Sequence, residues 1–420
     1  MKNFKIHGGV PLQGRIKISG AKNSILPILA ASLLAEGESI IEDVSYLKDV
    51  KVMNDLLKAL GANTEISLKE NKISINCRQI SAYTAPYDLV NKMRASFLVM
   101  GPMLARTGRA RIPMPGGCAI GTRPVNLHLK GFSAMGAQIS QFHGYIEGQV
   151  KGRLKGAKIY LDFPSVGATE NIIMAAVLAD GVTVIENAAI EPEIVDLSTY
   201  LSSMGANIKG AGTDTIRIVG VPKLEGANHC VIPDRIETGT FMLAAAITGG
   251  NLEIENVVPD HIKPITAKLR EAGVEIYEDM SSIRVSAKER IKAVDIKTHP
   301  YPGFPTDMQS LITSLMSIAK GTSIISEAVF ENRFMHVSEL KRMGANIKIE
   351  GRIAVVEGKT GLQGAQVKAT DLRAGAALVI AGLAAKGTTT ITGISHIERG
   401  YFMLEEKLKS VGAKISIGDE

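Results

Sequence analysis

Six times along the chain, apolar positions spaced three and four apart run out at a glycine and restart as an alternation of period two. The junctions are LLKALGANTEIS, GFSAMGAQIS, LSSMGANIKG, LREAGVEIYE, LKRMGANIKIE and LKSVGAKISIG, with the glycine at Gly61, Gly136, Gly205, Gly273, Gly344 and Gly412. Each predicts a helix closed by a left-handed glycine and followed at once by a strand. Between the junctions lie helical stretches of another kind, such as GATENIIMAAVLADGVTVIE and DLRAGAALVIAGLAAKGTTTIT, apolar almost all round. A helix without a polar face has to be enclosed. The chain reads as six βαβαββ-like units spaced by about 70 residues, and the class is α/β.

At 420 residues the chain is too long for one ordinary core, so two domains of three units each are expected, crossing near residues 20 and 232. The first twenty residues fall outside the repeat frame. Their GGVPLQGRIKIS is similar to VVEGKTGLQGAQVKAT at 355–370, so both N-terminal strands are expected to complete the sixth unit. The expected domains are 21–232, and 1–20 together with 233–420.

Aromatic residues make up only 5% of the chain, Trp is absent and Gly reaches 42, which fits many short elements and turns. The net charge of +6 suits an anionic ligand, and no basic block suggests a nucleic-acid arm. Three cysteines, Cys77, Cys118 and Cys230, are too few and too odd for a disulfide framework, which points to the cytoplasm. The N-terminus has no apolar signal core and no stretch reaches membrane-span length, so neither membrane nor nucleic acid is an expected partner. HExxH, CxxC, GxxxxGK[ST] and GxGxxG are all missing, which leaves metal chemistry, nucleotide hydrolysis and hydride transfer unsupported; no cofactor is expected.

PGGCAIGTRP, residues 115–124, reads as a loop that places the Cys118 thiol beside Arg123, a setting that favours the thiolate. Cys77 and Cys230 fall in strand-like runs and are expected to be buried and inert. Lys22, Arg94, Arg123, Arg333, Arg373 and Arg399 stand at corresponding points, where units turn into or out of helices. Taken singly, each is more often a solvated surface charge; as a set they imply converging anions. Asp307 and Asp371 open helices, where N-capping and catalysis are both open readings.

GAKNSILP, MRASFLVMGP, PGGCAIGTRPVNLHLKGF, SVGATEN, PDRIETGTF, PTDMQS, FENRFMHVSEL, DLRAGAALVIAGL and IERGYFMLEEKL together span the chain. Through them it resembles the UDP-N-acetylglucosamine 1-carboxyvinyltransferases of the enolpyruvyl transferase family. The resemblance implies two inside-out α/β barrel-like domains, each of three repeated units with helices enclosed by sheets, and an active site in the cleft between them. It implies transfer of the enolpyruvyl group of phosphoenolpyruvate to the 3′-hydroxyl of UDP-N-acetylglucosamine, with release of phosphate through a tetrahedral adduct. That is the first committed step of peptidoglycan synthesis.

By the same resemblance Cys118 is the acid, can form a covalent pyruvyl adduct, and is the target of fosfomycin, while Asp307 is the base. Lys22, Arg123 and Arg399 would hold the phosphate, Arg333 and Arg373 the carboxylate, with Asn23 beside them, and Asp371 would assist proton movement. Asn23, Arg94, the run Arg123, Pro124, Val125, Asn126 and Leu127, the run Ser165, Val166 and Gly167, Asp307, and Val329 would line the UDP-sugar site. Two positions depart from the family: Asn126 replaces the usual Asp, and Phe163 stands where close relatives can carry Lys. The alternatives are 5-enolpyruvylshikimate-3-phosphate synthase, which lacks such a cysteine loop, and a silent UDP-sugar-binding paralogue, against which Cys118, Lys22 and Asp307 argue.

Overall fold

The computed structural model describes residues 2–115, 120–121 and 124–419. The chain divides into two compact units. One takes in the N-terminal segment through Ser19, residues 120–121 and the stretch from Pro233 on; the other takes in the rest of residues 20–232.

All six junction glycines have positive φ, from +89° at Gly136 to +114° at Gly61. Gly61 shows why: it closes the helix Lys48–Leu60, its N–H donates to Lys58 O, and the next N–H, of Ala62, reaches back to Leu57 O. The chain thereby reverses within two residues and enters the strand Asn63–Ser67.

The sheets share one pattern. In the first, Asn228–Cys230, Glu38–Glu42, Lys72–Asn76 and Asn63–Ser67 lie side by side, the first pair parallel and the others antiparallel. The same order recurs in Ile296–Lys297, Thr322–Ser326, Ile353–Glu357 and Asn346–Glu350. The sheet built on Arg109–Pro113 has three strands, and a single parallel bridge from Thr84 to Arg111 stands in for the fourth.

The N-terminal segment differs from expectation in one respect. Lys2–His7 does enter the sixth sheet, antiparallel between Thr388–Thr392 and Lys414–Asp419. Gln13–Lys17, however, pairs in parallel with Asn251–Glu255 in the fourth sheet. The sixth unit stops one hairpin strand short, and the segment that precedes the fourth, Asn228–Cys230, is taken up as the parallel strand of the first sheet. One N-terminal segment fills both gaps, and backbone groups that would otherwise lie unpaired at open edges are satisfied.

The apolar helices are enclosed, as their sequences require. Every residue of Gln309–Met316 is buried, and burial runs without a break from Arg373 to Leu383 and from Ile236 to Ile247. Close packing explains a glycine inside the last of these helices: a Cβ on Gly239 would stand 2.8 Å from Ile265 Cδ1 and from Met308 Cε.

Candidate functional site

In the unit from Pro233 on, Asp307 lies in the one-turn helix Thr306–Met308, immediately before Gln309–Met316. Its side chain does not cap a helix. Instead Arg333 Nη2 donates to Oδ1 at 2.7 Å, while Arg373 Nη2 and Nε donate to Oδ2 at 3.0 and 3.2 Å. Both guanidinium groups are buried, and a quarter of the aspartate side chain reaches the surface, 25%. Burial pushes the carboxyl upward, but the charges and hydrogen bonds of Arg373 and Arg333 outweigh it and hold the group well below the ordinary carboxylate range. Two of the arginines expected to gather anions thus converge on one carboxylate, with none of the solvated geometry of surface cations.

Arg373 is placed by Asp371, the N-cap of Leu372–Ala384, whose Oδ1 accepts from Arg373 N at 2.8 Å and Ala374 N at 3.0 Å. Capping is therefore one thing that Asp371 does. The Arg373 guanidinium also lies 5.3 Å from the centre of the Tyr401 ring. Thr240 gives its hydroxyl proton to Ile236 O at 2.7 Å, so the Tyr401 hydroxyl donates to Thr240 Oγ1 at 2.9 Å and burial raises its pKa. Arg399, half-buried, ends the short helix Ile397–Arg399 two residues before Tyr401. Val329 N donates to Glu327 Oε1 at 2.9 Å on the loop that leads to Arg333. Asn332, next to Arg333, donates its N–H to Ile120 O at 3.1 Å.

In the unit of residues 20–232, Lys22 and Asn23 open the helix Lys22–Ala31. Lys22 is buried, and its Nζ lies 2.7 Å from Asp49 Oδ2, itself buried at the start of Lys48–Leu60. Sequence reasoning missed Asp49. It sits 27 positions after Lys22, in a neighbouring helix, and only the packing joins them.

Three segments expected at a UDP-sugar site gather here around one histidine. Arg94 begins the short helix Arg94–Val99, Asn126 the helix Asn126–Ala134, and Ser165 caps Val166–Ala176, its Oγ accepting from Ala168 N at 3.4 Å. His128, buried, stacks edge-on against Phe97 at 5.2 Å and accepts at Nδ1 from Asn171 Nδ2 at 3.1 Å. Asn171 also donates to Phe97 O at 3.0 Å and accepts from Gly101 N at 2.7 Å. A Cβ on Gly167 would stand 3.4 Å from His128 Cε1. Burial, then the Arg94 charge, depresses His128 to about 3, so the ring is neutral with its proton on Nε2. Nothing in the sequence around His128 marked it as the hinge of three segments. Pro124 and Asn126 are exposed, Val125 is buried, and Leu127 and Val166 are half-buried. Phe163 is exposed.

Cys118 and Arg123 lie outside the described residues. Cys77 is buried, and burial pushes its thiol up to about 11, which suits an inert role. Cys230 was expected to be buried as well and is exposed. Its strand Asn228–Cys230 is the edge of its sheet, so one face of it meets solvent. Among the described residues, no group of histidines, cysteines and carboxylates is arranged to hold a metal, and no helix is long and apolar enough to cross a membrane.

The family model for EPSP synthase (3-phosphoshikimate 1-carboxyvinyltransferase) matches residues 6–408. The chain is 64% identical over 412 residues to UDP-N-acetylglucosamine 1-carboxyvinyltransferase 1 of Caldanaerobacter subterraneus subsp. tengcongensis, covering 98% of each. It is 59% identical to UDP-N-acetylglucosamine 1-carboxyvinyltransferase 2 of Carboxydothermus hydrogenoformans, covering 99% of each. Among solved structures it superposes on the enolpyruvyl transferase NikO from Streptomyces tendae with a TM-score of 0.89 at 25% identity, covering 99% of this chain and 98% of that one. An EPSP synthase from Acinetobacter baumannii shares the fold, with a TM-score of 0.77 at 19% identity over the whole of both chains. Repeat, fold and near-complete coverage at such identity lead to one conclusion: the chain belongs to the enolpyruvyl transferase family, among its UDP-N-acetylglucosamine 1-carboxyvinyltransferases.

Proposed function

We propose that the chain transfers the enolpyruvyl group of phosphoenolpyruvate to the 3′-hydroxyl of UDP-N-acetylglucosamine and releases phosphate, with Asp307 as the base and Cys118 as the acid. The observation that carries the site assignment is the clasp of Asp307 between Arg333 and Arg373. In this reaction the Cys118 thiol gives its proton to the methylene carbon of phosphoenolpyruvate, positive charge develops at C2, and the sugar oxygen bonds there as its proton passes to Asp307. The tetrahedral adduct then returns a proton from the same methyl carbon to the Cys118 thiolate, the C=C bond re-forms, and the C–O bond to phosphate breaks.

A carboxylate clasped by two guanidinium groups is a poor base. The carboxylate of phosphoenolpyruvate, on binding Arg333 and Arg373, draws those charges away from Asp307 and so raises its basicity as the acceptor hydroxyl arrives. Lys22, Arg123 and Arg399 take the phosphate in this reading, and Asp371 orients the first turn that carries Arg373. Asn23, Arg94, the runs from Arg123 to Leu127 and from Ser165 to Gly167, and Val329 receive the UDP-sugar. The reaction needs no cofactor. Both charged substrates and the sparse, odd number of cysteines fit the cytoplasm as its compartment.

The test is phosphate release from phosphoenolpyruvate with each of two acceptors. Turnover with UDP-N-acetylglucosamine and none with shikimate 3-phosphate is expected; the reverse would overturn the reading, and UDP-sugar binding without phosphate release would mark a silent paralogue. Fosfomycin should leave one adduct, on Cys118; an adduct on Cys77 or Cys230 would contradict the acid's assignment.

A further inference from the structure

Repeat symmetry is broken in two units, at Met114 in the second and at a residue beside the Asp307 clasp in the fifth. In four of the six units, the residue that follows the strand after the apolar helix is Asp43, Asn187, Asn256 or Gly393, each with positive φ, at 56°, 54°, 58° and 72°. The two asparagines use their amides to hold the neighbouring segment, Asn187 Nδ2 donating to Leu161 O at 2.7 Å and Asn256 Nδ2 to Ile18 O at 2.8 Å. In the fifth unit this position, after Thr322–Ser326, is Glu327, whose φ is not positive and whose longer side chain is buried.

Glu327 accepts four hydrogen bonds. Oε1 takes Thr298 Oγ1 at 2.9 Å, Val329 N at 2.9 Å and Phe330 N at 3.1 Å, while Oε2 takes Thr306 Oγ1 at 2.9 Å. Thr306, having given its proton to Glu327, can only accept from Arg333, whose Nη1 donates to it at 3.2 Å while Nη2 holds Asp307. One buried carboxylate therefore fixes both the turn that carries Asp307 and the loop that carries Val329 and Arg333. A buried anion is costly unless every lone pair is met, and here neutral donors meet it at the one unit where a base and its arginine must be held in register.

We infer that Glu327 is a positioning residue: through Thr306 it sets the Arg333 guanidinium against Asp307, and through the Val329 and Phe330 amides it sets the acceptor-facing loop. The inference rests on the proposed roles of Asp307 and Arg333. Glu327→Gln turns one acceptor oxygen into a donor amide facing existing donors. Thr306→Val keeps the shape and deletes the hydroxyl, and Thr306→Ser restores it.

Turnover and its pH profile, thermal midpoint and a crystal structure are measured for all three variants. Glu327→Gln and Thr306→Val are expected to lose kcat by on the order of tenfold or more and to move the acidic limb of the profile, with Thr306→Ser recovering both. If Glu327→Gln does not fold, the Thr306 pair decides. Wild-type kcat and an unmoved acidic limb in Thr306→Val would overturn the inference. So would a variant structure in which the Arg333–Asp307 contact is unchanged, whatever the activity. A wild-type protein without turnover would instead sink the proposed function, and the variant structures would still judge Glu327.

Discussion

Arg373 Nη2 lies 3.0 Å from Asp307 Oδ2 although the two residues are 66 positions apart, about one repeat. Each stands at the start of the apolar helix of its unit, so successive copies of one motif meet at their helix N-termini. Both arginines of the clasp are buried, with side-chain exposures of 5% for Arg333 and 2% for Arg373, so the charges interact in a setting that water screens little.

Removing one partner of such a cluster leaves an uncompensated buried charge. Arg373→Ala is expected to destabilise the protein by about 3–5 kcal/mol in urea titrations, besides abolishing turnover. An unchanged midpoint would show that the clasp is not formed in solution.

The clasp also has a pH signature. Asp307 titrates below its ordinary value of 3.8 when folded, so its stabilising contribution is complete above that value and is lost as pH falls below it toward the depressed folded value. Asp307→Asn should therefore flatten the dependence of stability on pH below 3.8, as read by denaturant midpoints. A variant curve parallel to wild type in that range would refute the clasp.

Two buried histidines give a second acid dependence. Burial first of all holds both His128 and His336 at about 3 instead of 6.5; at His128 the nearby Arg94 charge works in the same direction, while at His336 a backbone hydrogen bond with Arg333 works against burial and the Arg333 charge with it. Unfolded chains bind protons at these positions below pH 6.5 while the folded chain does not, so stability should decline between pH 6.5 and 3. His128→Gln is expected to remove part of that decline and to raise KM for the UDP-sugar. Retention of the full wild-type slope would show that His128 titrates normally.

Lys22 depends on Asp49 in the same way. Asp49→Asn takes a buried counter-charge away from a buried ammonium, and a loss of about 3–5 kcal/mol together with a raised KM for phosphoenolpyruvate is expected. Urea titration and steady-state kinetics of this one variant measure both.

The repeat, the enclosed helices and the reversal at each junction glycine were legible in the sequence because their causes are local: a period, an absent polar face, a φ that glycine adopts freely. The partners were not. Lys22 and Arg373 carry no sign, in their own stretches, of being buried against Asp49 and Asp307. His128 looks like any helical histidine until Phe97 and Asn171 are packed around it. The placement of Gln13–Lys17 failed for a related reason: an alternating run fits any open sheet edge, and which edge is open depends on how all the units close.

Single-turnover phosphate release with Asp307→Asn, with the affinities for phosphoenolpyruvate and UDP-N-acetylglucosamine measured on the same preparation, tests most directly whether Asp307 is the base. A base replaced by an amide of the same shape should leave both substrates bound and slow the step by about 100-fold or more. Release at the wild-type rate would show that another group takes the proton from the sugar.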